Sequence, residues 1–417
     1  MALSVLDERI ASLRRDLQRA NAASDSDMEK KFEQLELRRE PWIKAFDDIR
    51  SNSTSGLDRL EALIEKVAQG GLDPSEAWRE YSEIEGLSEE VFRECLELLG
   101  GLVFREKELD ERICVFADEL LKECAISVGV IPTLVIPSPD RLPPLESRRI
   151  AHVRYPEWDV WALPLVAHEF GRVAIAESVQ ANEYVKKTAT ALHQQLAAGP
   201  AVELDAVEQR VRVLLADAFA TFTHGPAYAC ALMLLRLDVV APSLESRALV
   251  RQRADMVMGI IKALDTHELI QAYVGRELAR CWEQAIASLP HAPAAAADPL
   301  GSLSPDPVAV FGKFKKIFHP GSAYTSTDWT AALSRGAEWM EQLRVDGEVR
   351  DLGEVVQTHR LRDALNAAWY VRLRQPEWAK KGAHVTRDLC QAIIDQHASG
   401  QGGQGPIRGE SRPPRGG

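Results

Sequence analysis

A chain of 417 residues with 50 basic against 62 acidic side chains has a net charge of −12, a hydrophobic share of 46% and a charged share of 27%. That is the composition of a folded chain, long enough for more than one domain, and not of a disordered one. The acidic balance argues against nucleic-acid binding and against a polybasic membrane patch. No apolar run approaches the roughly 20 residues of a membrane span. The start, Met1 to Arg9, carries charges where a secretory segment would be apolar. The six cysteines at 95, 114, 124, 230, 281 and 390 include no CxxC pair, so they read as reduced, mostly buried thiols of a cytoplasmic protein.

The first 125 residues read as a series of helices. Leu6, Ile10, Leu13 and Leu17 recur at helical spacing, and Leu57, Leu60, Ile64 and Val67 do so again. Gly70-Gly71 stops one helix, and Asp73-Pro74-Ser75-Glu76 offers an N-cap, a first-turn proline and an acid. Ser88 is expected to open a further helix and Gly100-Gly101 to close it. Two β-type runs follow, Thr133 to Ile136 and Ile150 to Tyr155, with a proline-rich turn between them. Helical patterns then run from Ala162 to Lys187 and from Val202 to Leu237, the second broken by Gly225-Pro226, and again from Leu244 to Ser288. Five prolines between Pro290 and Pro307 mark a linker at 289–309. A helical region is expected over 310–398, and a glycine-rich, disordered tail over 399–417. The stripe Val310, Phe311, Phe314, Ile317 and Phe318 reads as a packed helix, and Arg251 and Arg253 read as a solvated face.

One segment has chemical content: Trp161 to Arg172, containing His168-Glu169-Phe170-Gly171-Arg172. A zinc hydrolase helix needs two imidazoles one turn apart and a glutamate beside the first, to take a proton from metal-bound water. His168 and Glu169 are present, but position 172 is an arginine, a permanent cation that cannot ligate zinc. A strand precedes this helix, and a later helix holds Ala216-Asp217.

Over residues 128 to 240 the combination resembles the gluzincin branch of the zincin metallopeptidases, whose HExxH helix is served by a downstream E-x-x-A-D helix. The resemblance implies His168 as metal ligand, Glu169 as general base and Asp217 as the acceptor that supports a ligand. It also implies a central zincin-like unit over 126–288 in a mainly α fold with a small β element, flanked by helical regions. Arg172 and Val213 replace the second and third ligands, so the expected arrangement is an ion network of Glu169, Arg172 and Asp217, with His168 bonded into it and no metal cofactor. Zinc belongs only to the alternative in which the site works, with His193, His224, Glu177 and Asp217 as substitute ligands. The function expected is a degenerate metallopeptidase-like protein that binds a protein or peptide, without nucleic acid or membrane. The alternatives are an active zinc peptidase with atypical ligands and a helical adaptor with no active site. His193 and His224 are expected to be satisfied surface or core histidines.

Overall fold

The computed structural model describes residues 6, 9–15, 17–18, 39–69, 71–106, 113–129, 134–138, 150–154, 160–196, 202–238, 244–287, 300–301, 303–346 and 360–374. The tail expected over 399–417 lies outside them. Among the described residues the chain is mostly helical, and none of these helices is long and apolar enough to cross a membrane. The chain divides into two compact units: Met1–Trp158 with Val166–Tyr184, and Asp159–Leu165 with Val185–Gly417. The segment 126–288 is therefore shared between them.

In the first unit, α1 (Arg39–Ala68) and α2 (Pro74–Glu106) form an antiparallel hairpin. The helical stripe Leu6, Ile10, Leu13 and Leu17 is buried with Leu60, Leu63, Ala77, Tyr81 and Ile84 in one cluster. Each such side chain contributes roughly 1.5–3 kcal/mol when removed from water, so this stripe anchors its segment to the hairpin. Helix α1 ends just before the glycine pair, and Gly71 N–H donates to Lys66 O at 3.0 Å; Gly70 lies outside the described residues.

Ser88 does not open a helix, and Gly100-Gly101 does not close one. Helix α2 runs unbroken past both to Glu106. Ser88 is buried in mid-helix and its hydroxyl donates to Ile84 O at 2.7 Å. A serine that back-bonds to the preceding turn is satisfied inside a helix, so its preference for caps does not decide.

Helix α3 (Ile113–Val128) packs on strand β1 (Leu134–Ser138), and Asp118 Oδ1 accepts from Val135 N–H at 2.7 Å. Strand β2 (Ile150–Arg154) pairs with β1 in parallel, Leu134 opposite Ile150. Parallel neighbours need a longer connection than a two-residue hairpin; the proline-rich turn expected between the strands lies outside the described residues. Helix α4 (Val166–Glu177) packs on β2 and α3. Helix α5 (Val179–Gln195) begins in this unit and ends in the second.

The second unit is built around α6 (Leu204–His224), which is buried continuously from Leu214 to its end. A helix apolar on all sides must be enclosed by others. It is packed by α7 (Pro226–Ala231), α8 (Leu244–Leu264) and α10 (Pro307–Ile317). Wide turns at Leu232–Arg236 and Gln271–Gly275 lead out of α7 and into α9 (Arg276–Ala287) respectively. The phenylalanines of α10 are a packed face: Phe314 meets Phe219 and Phe222 edge-on at 6.3 and 5.9 Å between ring centroids. Asp306 caps α10 by accepting from Val308 and Ala309 N–H, both at 3.2 Å, with Pro307 in the first turn.

The far end of the expected linker is fixed to the core. Gln252 Nε2 donates to the carbonyls of Leu300 and Leu303 at 2.7 and 2.6 Å. Helices α11 (Ser326–Asp346) and α12 (Leu361–Arg374) close the unit as an intimate pair. Gly336 makes that approach possible, since a Cβ there would lie 2.5 Å from the Tyr370 ring.

Candidate functional site

His168, Glu169 and Arg172 lie on α4, in the unit that also holds β2 and α3. All three are half-buried, while Phe170 and Gly171 between them are buried. The helix buries Val166, Ala167, Phe170, Val173 and Ala174, so the remaining face carries the histidine, the glutamate and the arginine. Val213 and Asp217 are on α6 in the other unit, Val213 half-buried and Asp217 with no exposed surface.

The Asp217 carboxylate is held by a guanidinium. Arg253 of α8 donates from Nε to Oδ2 at 2.7 Å and from Nη2 to Oδ1 at 2.9 Å, and Tyr228 Oη of α7 donates to Oδ1 at 2.5 Å. Burial would weaken the Arg253 charge, but the Asp217 carboxylate beside it raises its pKa above the ordinary value. Burial and the same carboxylate push the Tyr228 phenol well up, so it stays a donor. Arg253 is therefore no solvated side chain: its fork geometry suits a bidentate pair with a buried acid.

A second polar cluster surrounds the break between α6 and α7. Gly225 has φ of 64°, a left-handed conformation, and a Cβ there would lie 2.4 Å from the Tyr324 ring. His224 is fully buried, as expected of a core histidine, and its Nδ1 shares a 2.9 Å hydrogen bond with Thr223 Oγ1. Burial, reinforced by the Arg362 charge, pushes its pKa down to about 3. Asn366 of α12 bridges the break, accepting from Ala227 N–H at 2.8 Å and donating to His224 O at 2.8 Å. Arg362 donates to Thr223 O at 3.1 Å and Ser322 O at 3.2 Å, and pairs with Asp328 Oδ2 at 3.4 Å. The backbone groups freed by the Gly-Pro break are thus bonded by α12.

His193 also has its partner: Nε2 bonds Val202 O at 2.9 Å. Trp161 packs in the core, with Trp369 Nε1 donating to Trp161 O at 3.0 Å and Arg372 lying 4.8 Å from the Trp161 ring centroid. Cys114, Cys124 and Cys230 are buried free thiols, and Cys281 is half-buried.

The sequence misplaced Arg253 on a solvated face and gave no role to Tyr228, Arg362 or Asn366. The signal for the last two was present: Arg362, Asp363 and Asn366 interrupt the apolar set Leu361, Leu365 and Trp369, and polar residues in such a stripe are kept where they have partners. Among the described residues, no three His, Cys, Asp or Glu side chains form a group fit to hold a metal ion. No family model, no curated protein and no solved structure matches the chain.

Proposed function

We propose that this chain is a metallopeptidase-like protein with a degenerate zinc site, which binds a protein or peptide and does not cleave it. The observation that carries this reading is the ion pair on Asp217. Where the zincin pattern uses an aspartate to support a metal ligand, this carboxylate is engaged by Arg253 and Tyr228. The residues at the two lost ligand positions, Arg172 and Val213, offer a cation and an alkyl group. One histidine with water binds zinc far more weakly than the three or four protein ligands of a lasting site. The packing of β2 on α4 supports retention of the strand and helix pair that flanks a substrate cleft in the resembled branch.

The test is metal analysis of the purified full chain after dialysis, with hydrolysis of a quenched peptide library measured beside it. Substoichiometric zinc and no chelator-sensitive cleavage are expected. Stoichiometric zinc, together with cleavage lost in Glu169→Gln, would establish the alternative of an active peptidase with atypical ligands. The plain helical adaptor remains the second reading, favoured by the division of 126–288 between two units.

A further inference from the structure

The α11–α12 pair encloses an acid that lies among arginines, none of which bonds its Oδ1. Asp363, in the first turn of α12, is only 7% exposed, and its Oδ1 has no hydrogen-bond partner among the described residues. The adjacent Arg362 is committed elsewhere, to two backbone carbonyls and to Asp328 on α11. Asp328 acts on Asp363 as a like charge while being held itself by Arg360, Arg362 and the N–H and hydroxyl of Thr325. The charges of Arg362, Arg335 and Arg360 favour an ionised Asp363 but do not outweigh its burial. Tyr324 is near enough to feel the same charge, and among the described residues its buried hydroxyl, Arg335 Nη1 and Arg362 Nε have no hydrogen-bond partner. Of the other elements packed on α12, α7 turns Tyr228 to Asp217 and holds Cys230 within reach of the Arg372 charge, α6 places His224 within reach of Arg362, and Tyr273 packs on Tyr370.

We propose that Asp328 and Asp363 form a proton-operated latch on the α11–α12 pair: a proton held by Asp363 lets the two acids lie together, and its release to water loosens the first turns of α12. Two ionised carboxylates in a poorly hydrated seam repel each other and lack solvation, whereas a neutral acid can donate a hydrogen bond. The α12 helix dipole favours the ionised form, but only modestly beside burial. Burial first, and then the Asp328 charge, raise the Asp363 pKa from 3.8 to about 6, which places the transition in mildly acidic solution.

The sign of the test follows from His224. Below its ordinary pKa of 6.5, the unfolded chain holds a proton on His224 that the folded chain refuses. Between about pH 4 and 6 the folded chain instead holds one on Asp363 that the unfolded chain has lost. The two differences cancel in the wild type, so these groups together give no slope there.

In Asp363→Asn the compensation is gone. Relative to wild type, the folding constant of the full chain should fall by about tenfold per pH unit as the pH is lowered from about 6 to 4. Denaturant titrations of both proteins across that range read this difference. Equal slopes would overturn the latch. Carboxyl-carbon NMR of the wild-type chain reads the same proton directly and does not depend on the variant folding. An Asp363 midpoint above about pH 5, shifting down in Asp328→Asn, is expected. A midpoint near the ordinary aspartate value, or one indifferent to Asp328, would overturn it. Amide exchange in the first turns of α12 should quicken as the pH rises through that midpoint, beyond the intrinsic pH dependence; an unchanged protection factor would refute the loosening.

Discussion

Arg253 grips Asp217 with two nitrogens, Nε on Oδ2 and Nη2 on Oδ1, at 2.7 and 2.9 Å. The pair joins α8 to the buried part of α6, and the carboxylate has no exposed surface. Removing the cation alone leaves a charge stranded in the core, which costs about 3–5 kcal/mol. Arg253→Met should therefore destabilise the chain by about that much in urea titrations. Adding Asp217→Leu should recover most of the loss, because an apolar pair avoids the desolvation of two ions. A double variant no more stable than Arg253→Met would mean that the pair acts through something other than charge.

Gly225 makes a second, sharper prediction. Its φ of 64° is strained for any side chain other than glycine, and the Tyr324 ring occupies the place of a Cβ. Backbone strain alone costs about 1–3 kcal/mol, and the overlap must in addition displace a buried tyrosine. Gly225→Ala should lower stability by more than the about 1 kcal/mol typical of a substitution. Tyr324→Ala in the same background should relieve part of the coupling, which a double-mutant cycle in chemical denaturation measures.

How the break at Gly225-Pro226 is held shows where the sequence was legible. Hydrophobic period located the helices, because burial of one stripe is a local pattern: Leu6, Ile10, Leu13 and Leu17 meet Leu60 in one core, with Leu57, Ile64 and Val67 partly buried against it. The dipeptide also marked the break itself, since glycine and proline restrict the backbone wherever they stand. The partners of the break were not legible. Asn366 lies 142 residues from the His224 carbonyl it binds, and no short-range pattern encodes such a pairing. Ser88 misled for the opposite reason, as a local cap preference yields once a hydroxyl finds the carbonyl one turn back. At the candidate site, His168, Glu169 and Arg172 could be placed on one helix from spacing alone. The partner of Asp217 could not, because Arg253 is 36 residues away on another helix.

The proposed absence of a metal site has a thermodynamic signature. A ligand at a hundred times its dissociation constant stabilises the state that binds it by about 2.7 kcal/mol. Adding zinc at micromolar excess, or removing it with a chelator, should leave the unfolding midpoint of the wild-type chain unchanged. Glu169→Gln should behave as wild type in the same assay. A zinc-dependent rise in midpoint that disappears in His168→Ala would locate a working site on α4.

His224 predicts how the second unit fails in acid. The folded chain holds the imidazole neutral, with its pKa pushed from 6.5 down to about 3 by burial first and the Arg362 charge second. The unfolded chain takes up a proton below about pH 6.5, so this group's contribution to stability is complete above that pH and is lost as the pH falls toward 3. Each pH unit of that descent removes about 1.4 kcal/mol until the folded imidazole is itself protonated. Between about pH 4 and 6 the proton on Asp363 masks the loss, so for these two groups the steep fall in the wild type belongs below pH 4, where Asp363 is protonated in both states. His224→Gln removes the titration and keeps a polar side chain beside Thr223. Its circular dichroism in acid should show a shallower transition, displaced to lower pH relative to its own stability at neutral pH. An acid transition as steep as that of the wild type would assign the sensitivity to other groups.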